Sequence, residues 1–288
     1  MTVGKYYEEK DFSIMHMVDD ELAPEGFTLH MHDRYELYCL VRGDVGYVVE
    51  GNAYELTPGS IMLMRSAETH KLLVRGGGEY ERYVIYITPD FFASHGLSSE
   101  MLAPFTERGL GERNLYRPEE MSGAPPLFYI KKIFRERVEL PLATVFAANI
   151  SALLCDVYMA FCKGGEAPAL TASEAGRALL AYVNANITEN ITLESVAAHA
   201  HMSKSQVGRV FRGLTGASVY DYIISKRLIL AQERIAKGEN ASSAASACGF
   251  RDYSSFYRLY KKRFGSAPTE ARVPYAAEAK DGGKFCLK

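Results

Sequence analysis

Residues 247–268 read ACGFRDYSSFYRLYKKRFGSAP. Asp252 is a favourable helix N-cap, and Phe256, Leu259 and Tyr260 recur at the three-and-four spacing of one helix face. Gly265 follows where a helix C-terminus needs a residue that tolerates positive φ. Upstream, Ser243–Cys248 predicts a short helix around the small Ala245, and Gly249-Phe250 a tight turn. Two short helices joined in this way form a helix-turn-helix. Its second helix turns Tyr253, Ser254, Tyr257 and Arg258 outward.

The pattern occurs twice. Ser203-x-x-x-Val207-x-Arg209-Val210-Phe211-Arg212 precedes Asp252-x-x-x-Phe256-x-Arg258-Leu259-Tyr260-Lys261 by 49 residues, and Gly216 matches Gly265. Leu193–Ala200, with Ala197 as its small residue, predicts the first helix of the earlier copy, and His201-Met202 its turn. From small alanine to first inward residue the spacing is ten in one copy and eleven in the other, so one turn is looser. The earlier outer face presents Lys204, Ser205, Gln206 and Arg209, while Gly208 contributes only backbone. Between the copies Ser218–Lys237 holds neither glycine nor proline and predicts a helix of roughly 30 Å, close to the ~34 Å between successive major-groove faces. One such match would fit any helical hairpin. Two copies in a basic segment point to DNA, with Arg209 and Arg258 placed to pair with guanine.

The formal net charge of -2 hides the basic segment. Residues 171–288 hold 17 Lys and Arg against 10 Asp and Glu, a balance of +7, and residues 1–170 balance at -9. A polyanion responds to the local field, which decays over roughly 8 Å at physiological salt. The 288 residues suffice for two domains, and 48% hydrophobic with 24% charged residues excludes a disordered chain. No run reaches ~18 uninterrupted apolar residues, and the N-terminus lacks a basic stretch followed by an apolar core, which disfavours membrane and secretion and predicts a cytoplasmic protein. Five cysteines (Cys39, Cys155, Cys162, Cys248, Cys286) without a C-x-x-C pair fit reduced thiols. Cys155 and Cys162 share a helix face and read as small core residues.

Ahead of this half, Tyr35–Val41, Gly46–Glu50, Ser60–Met64 and Tyr80–Ile87 are β-branched and aromatic runs bounded by turns, predicting a sandwich or small barrel. Past residue 126 the period becomes helical: Phe146, Ile150, Leu153, Leu154, Val157 and Phe161 form an apolar face that either covers the barrel or meets its copy in a second subunit. Glycines 164 and 165 with Pro168 mark a linker. The fold expected is α+β in two domains: an N-terminal β-barrel with helices at 1–163, a linker at 164–173, and an all-α double helix-turn-helix domain at 174–288.

Residues ~175–272 resemble the DNA-binding domain of AraC-type (arabinose-regulator-like) transcription factors. Ala197, Ser203, Phe211, Gly216, Arg227-Leu228 and Ala231 carry the likeness in the first half, then Gly249-Phe250, Phe256, Arg258, Lys261-Lys262, Gly265 and Pro268. Likewise His30-x-His32-x-x-x-Glu36, with Leu40 and Gly43 after it, resembles the first motif of cupin barrels, and Pro58-Gly59 with His70 the second. A strand period of two puts His30 and His32 on one face, and Glu36 and Tyr38 on one face of the next strand. If those faces converge with His70, they make a site for Fe, Mn, Ni or Zn. Open beside that divalent metal are a metal-free effector pocket and purely structural histidines. No cofactor is required by the resemblance. It implies a small-molecule effector in the pocket, expected at His30, His32, Glu36, Tyr38 and His70; Arg65, Tyr38, Tyr83 and Tyr86 are the residue types to hydrogen-bond and stack on a sugar or acid. It also implies promoter DNA, RNA polymerase and a second copy of the chain as partners, and no membrane. The expectation is an effector-controlled regulator, not an enzyme. A cupin metalloenzyme with a DNA-targeting domain is the alternative, followed by a ligand-independent architectural DNA binder.

Overall fold

The computed structural model describes residues 2–21, 27, 29–134, 139–164 and 174–270. The proposed linker after Gly164, the tail beyond Glu270 and Cys286 lie outside the described residues. Among the described residues the N-terminal half has nine strands: β1 (Thr2–Glu8), β2 (Phe12–Asp19), β3 (Tyr35–Arg42), β4 (Val45–Val49), β5 (Asn52–Glu55), β6 (Ile61–Met64), β7 (His70–Val74), β8 (Tyr80–Ile87) and β9 (Leu115–Tyr116). They form two antiparallel sheets, ordered β1-β2-β8-β3-β6-β9 and β5-β4-β7. Among the described residues the strands pair as two separate sheets, and an isolated bridge between His30 and His70 reaches the smaller one.

Strand alternation divides the large sheet into two faces. Phe12, Ile14, Leu37, Cys39, Ile61, Leu63, Ile85 and Ile87 point to one side. Met15, Met17, Tyr38, Leu40, Met62, Met64 and Val84 point to the other, where Val45, Tyr47, Val49, Tyr54 and Leu72 of the small sheet meet them. The first side is covered by α1 (Asp90–Ser94), α2 (Ala103–Thr106), α3 (Pro126–Ile133) and α4 (Leu142–Lys163). Phe146 of α4 stacks on Phe12 at 3.7 Å, and Ile150, Leu153, Leu154 and Val157 are fully buried there. The apolar face of α4 therefore covers the sheet and is not available as a subunit interface. Cys155 and Cys162 are exposed, contrary to the core reading, because they share the face that α4 turns away from the sheet. By length and mean hydropathy (1.7) α4 qualifies as a candidate membrane span, but its most apolar stripe is spent on the sheet.

The C-terminal half contains α5 (Glu174–Ala185), α6 (Leu193–His199), α7 (Lys204–Thr215), α8 (Val219–Ala236), α9 (Ala241–Ala247) and α10 (Tyr253–Phe264). Leu179, Val183, Val196, Val207 and Phe211 make one core, and Ala245, Cys248, Phe256, Tyr260 and Phe264 a second. Helix α8 belongs to both, through Val219, Tyr222 and Ile223 at one end and Leu228, Ile229 and Ala231 at the other. Arg227 brackets the two cores: its guanidinium donates to the carbonyls of Ile187 (2.6 Å) and Glu189 (2.5 Å) ahead of α6, and to that of Gly249 (2.8 Å) after α9. Gly249 sits at φ 84°, and a Cβ there would lie 2.5 Å from the Thr188 carbonyl and 2.8 Å from Arg227 Cζ, so glycine is needed on two grounds.

Candidate functional site

The loop before β3, β3 itself and the start of β7 bring His30, His32, Glu36 and His70 together, with one ligand atom from each within 4.8 Å of the others. Glu36 and His70 are buried, His32 is half-buried and His30 is exposed, so the cluster opens to solvent on one side. Backbone carbonyls orient two of the rings: His70 Nδ1 donates to Glu68 O (2.8 Å) and His32 Nδ1 to Arg34 O (2.9 Å). Both Nε2 atoms are thereby turned inward. His32 Nε2 lies 2.7 Å from Glu36 Oε2 and donates to it. His70 Nε2 lies 3.1 Å from the same oxygen yet makes no hydrogen bond of acceptable geometry.

Burial alone would raise the Glu36 carboxyl, but His70 and His32 hold it far below the usual carboxylate range. Burial alone would lower the His70 imidazole, and the Glu36 carboxylate beside it more than offsets this, leaving it raised. The carboxylate is thus stable only with positive charge next to it. A proton on His70 supplies that charge, and so would a divalent cation. Metal bonds of ~2.0–2.2 Å place ligands of one ion within ~4.4 Å of each other, so the set fits an ion after contraction by a few tenths of an ångström. Carbonyl-anchored imidazoles are also the usual support of metal-binding histidines.

The remaining predicted pocket residues divide. Tyr38 lies on the same side as Glu36, buried, with its hydroxyl 2.7 Å from that of Tyr80. Tyr86 meets the His32 ring edge-on at 5.0 Å. Tyr83 belongs to the opposite face of the sheet, stacked on His16, and Arg65 donates to the carbonyls of Thr106 and Arg108; neither supplies the pocket. Arg108 and Asn114, which the sequence reading missed, support it from behind: both donate to Glu68, the residue whose carbonyl orients His70.

In the C-terminal half both helix-turn-helices form as read. Ser203 caps α7 by accepting from Gln206 N–H (3.3 Å), and Asp252 caps α10 by accepting from Ser254 N–H (3.3 Å) and Ser255 N–H (2.7 Å). The second turn is the looser, with Arg251 as its extra residue, and His201 adopts positive φ (52°) where the second copy has Gly249. Lys204, Ser205, Gln206, Arg209, Tyr253, Ser254 and Arg258 are exposed and Tyr257 is half-buried. Two of these are already engaged: Gln206 Oε1 accepts from Ser203 N–H (2.9 Å), closing a capping box, and Lys204 pairs with Glu194. A Cβ on Gly208 would meet nothing, which confirms the bare position on α7.

The sequence profile of the AraC-like ligand binding domain matches residues 20–124, and that of a helix-turn-helix domain matches residues 196–273, together more than half the chain. The chain belongs to the AraC-type transcriptional regulators. It is 23% identical over 268 residues to the HTH-type transcriptional activator RhaS of Klebsiella pneumoniae (strain 342), covering 88% of this chain and 91% of that one. It is 24% identical over 265 residues to RhaS of Yersinia pestis (strain Pestoides F), covering 87% and 91%. Among solved structures it is similar to ToxT from Vibrio cholerae O395 at 15% identity, with 91% of this chain and 97% of that chain covered and a TM-score of 0.39. As an AraC-type protein the chain is a DNA-binding transcription regulator with an N-terminal ligand-binding domain.

Proposed function

We propose that this AraC-type regulator senses a small molecule or a divalent ion at His30, His32, Glu36 and His70, and reads promoter DNA with the outer faces of α7 and α10. The sensing half is carried by one observation: three imidazoles and the buried Glu36 carboxylate bring their ligand atoms within 4.8 Å of one another in a cluster that is open at His30. Three imidazoles and one carboxylate suit Mn, Fe, Co, Ni or Zn. Regulation rather than turnover is favoured because the relatives matched along most of their length are transcriptional activators. Family membership supports a homodimer, a contact with RNA polymerase and a cytoplasmic location, and the free state of Cys39, Cys155, Cys162 and Cys248 agrees with a reducing compartment.

Titration with Ni2+ followed by calorimetry tests the metal version. Glu36→Gln should weaken binding by more than the roughly 10–100-fold that loss of an outer partner costs, because it removes a ligand. Absence of binding to the unaltered chain would overturn the metal version alone.

Arg209 and Arg258 hold equivalent places in the repeat, and an arginine paired with guanine contributes ~1–3 kcal/mol of discrimination. Binding-site selection with Arg209→Ala and Arg258→Ala should relax preference at one or two positions each, about one helical turn apart. Uniform weakening with unchanged preference would instead assign both to phosphates.

A further inference from the structure

The turn between β4 and β5 holds a glutamate on a backbone that does not suit it. Val49 pairs with Asn52, leaving Glu50 (φ 47°) and Gly51 (φ 82°) as a two-residue turn. Such turns favour Asn or Asp followed by Gly, and a longer side chain gains nothing locally from the left-handed conformation. What holds Glu50 there lies across the molecule. Its carboxylate, buried with Lys226 and Tyr222, accepts from Lys226 Nζ (2.8 Å), Tyr222 OH (2.7 Å) and the half-buried Asn184 Nδ2 (3.2 Å), all in the DNA-binding half. From its own half only Thr69 N–H (2.8 Å) reaches that carboxylate among the hydrogen bonds of the described residues.

The surrounding contacts come from the segments that build the histidine cluster. Met31, between His30 and His32, packs on both helix-turn-helix cores, and its carbonyl accepts from Arg263 Nη2 (3.1 Å). Asp33 accepts from Gln232 Nε2 (2.6 Å). Ala67, a second residue at positive φ (58°), is part of the core around α10. Thr69 accepts from Glu50 N–H through its backbone carbonyl, donates its own N–H to the Glu50 carboxylate, and precedes His70, which exchanges backbone hydrogen bonds with His30. Residues 30–33 and 67–70 therefore serve the cluster and the docking surface at once.

We propose that Glu50 is a latch that docks the DNA-binding half on the sensor half, and that a change at the histidine cluster reaches α8 through it. The transmission rests on the reading of the cluster as the sensing site; the docking does not. Arg209 and Arg258 stay exposed in the docked arrangement. The latch thus acts by fixing how the two recognition helices are held, not by covering them.

Hydrogen exchange with mass spectrometry on the full chain tests both parts. Lys226→Met leaves a buried carboxylate without its cation, and should speed exchange roughly tenfold or more in residues 65–74 and 219–233 while 80–87 and 253–264 keep their protection. Adding Glu50→Gln removes the second charge and should restore part of that protection. Glu36→Gln perturbs the cluster from the other side and should speed exchange at 219–233. Unchanged exchange at 65–74 in Lys226→Met would overturn the latch, as would loss of protection at 80–87, which would make Lys226 a plain core residue. No response of 219–233 to Glu36→Gln would overturn the transmission. A failed Ni2+ titration leaves these results standing, because none of them uses a bound ion.

Discussion

Raising the salt from about 50 to about 200 mM is expected to weaken binding of the chain to its operator roughly a thousandfold. The C-terminal balance of +7 overstates the charge available for phosphate. Lys226 is buried against Glu50, Arg227 is committed to three carbonyls, Arg263 reaches Met31, and Lys204 and Arg234 pair with Glu194 and Glu239. Among the described residues, Arg177, Arg209, Arg212, Lys237, Arg251, Arg258, Lys261 and Lys262 remain exposed. With roughly five to seven phosphates neutralised, and log affinity falling about 0.9 per contact for each decade of salt, the slope lies between about -4.5 and -6.3. Fluorescence anisotropy at four or five salt concentrations measures it. A slope shallower than about -2 would assign the positive surface to something other than DNA.

Arg108→Met is expected to destabilise the sensor half by ~3–5 kcal/mol, the cost of leaving a buried carboxylate without its cation. Arg108 and Glu68 are both fully inside, joined by two bonds of 2.7 and 2.8 Å. Glu68 also accepts from the N–H groups of Arg65 and Gly111 and from Asn114 Nδ2. Burial alone would raise the Glu68 carboxyl, but Arg108 and these donors hold it at about 2. Urea unfolding followed by tyrosine fluorescence reads the loss, and a change below ~1 kcal/mol would contradict the account. Adding Glu68→Gln to Arg108→Met should recover much of the stability, since removing both charges together is far less costly than stranding one.

The double helix-turn-helix was legible because its information is local: caps at Ser203 and Asp252, closing glycines at Gly216 and Gly265, and apolar residues at helical spacing. The histidine cluster was legible for the same reason on one side only. His30, His32 and Glu36 lie within one short stretch, whereas the supports of His70 come from Arg108 and Asn114 some forty residues further on. Strand β2 was missed as a separate element because it alternates between two buried faces, with Phe12 and Ile14 on one side and Met15 and Met17 on the other, so no polar period marks it. The face of α4 was read correctly as apolar, but periodicity does not say what an apolar face meets. Nothing in the sequence near Glu50 announces Lys226, since charge pairing across 176 residues leaves no local pattern.

The bracket made by Arg227 has a bearing on the operator. By tying the loop before the first helix-turn-helix to the turn inside the second, it joins the two motifs into one body. One body cannot follow two half-sites whose separation drifts. Inserting ~5 base pairs between the contacted segments would rotate one of them by about half a turn of the ~10.5-base-pair double helix, onto the far side of the duplex. Natural operators for a single subunit of this protein should therefore keep one fixed gap, and a genome search for them should use a rigid pattern in place of two motifs with variable spacing.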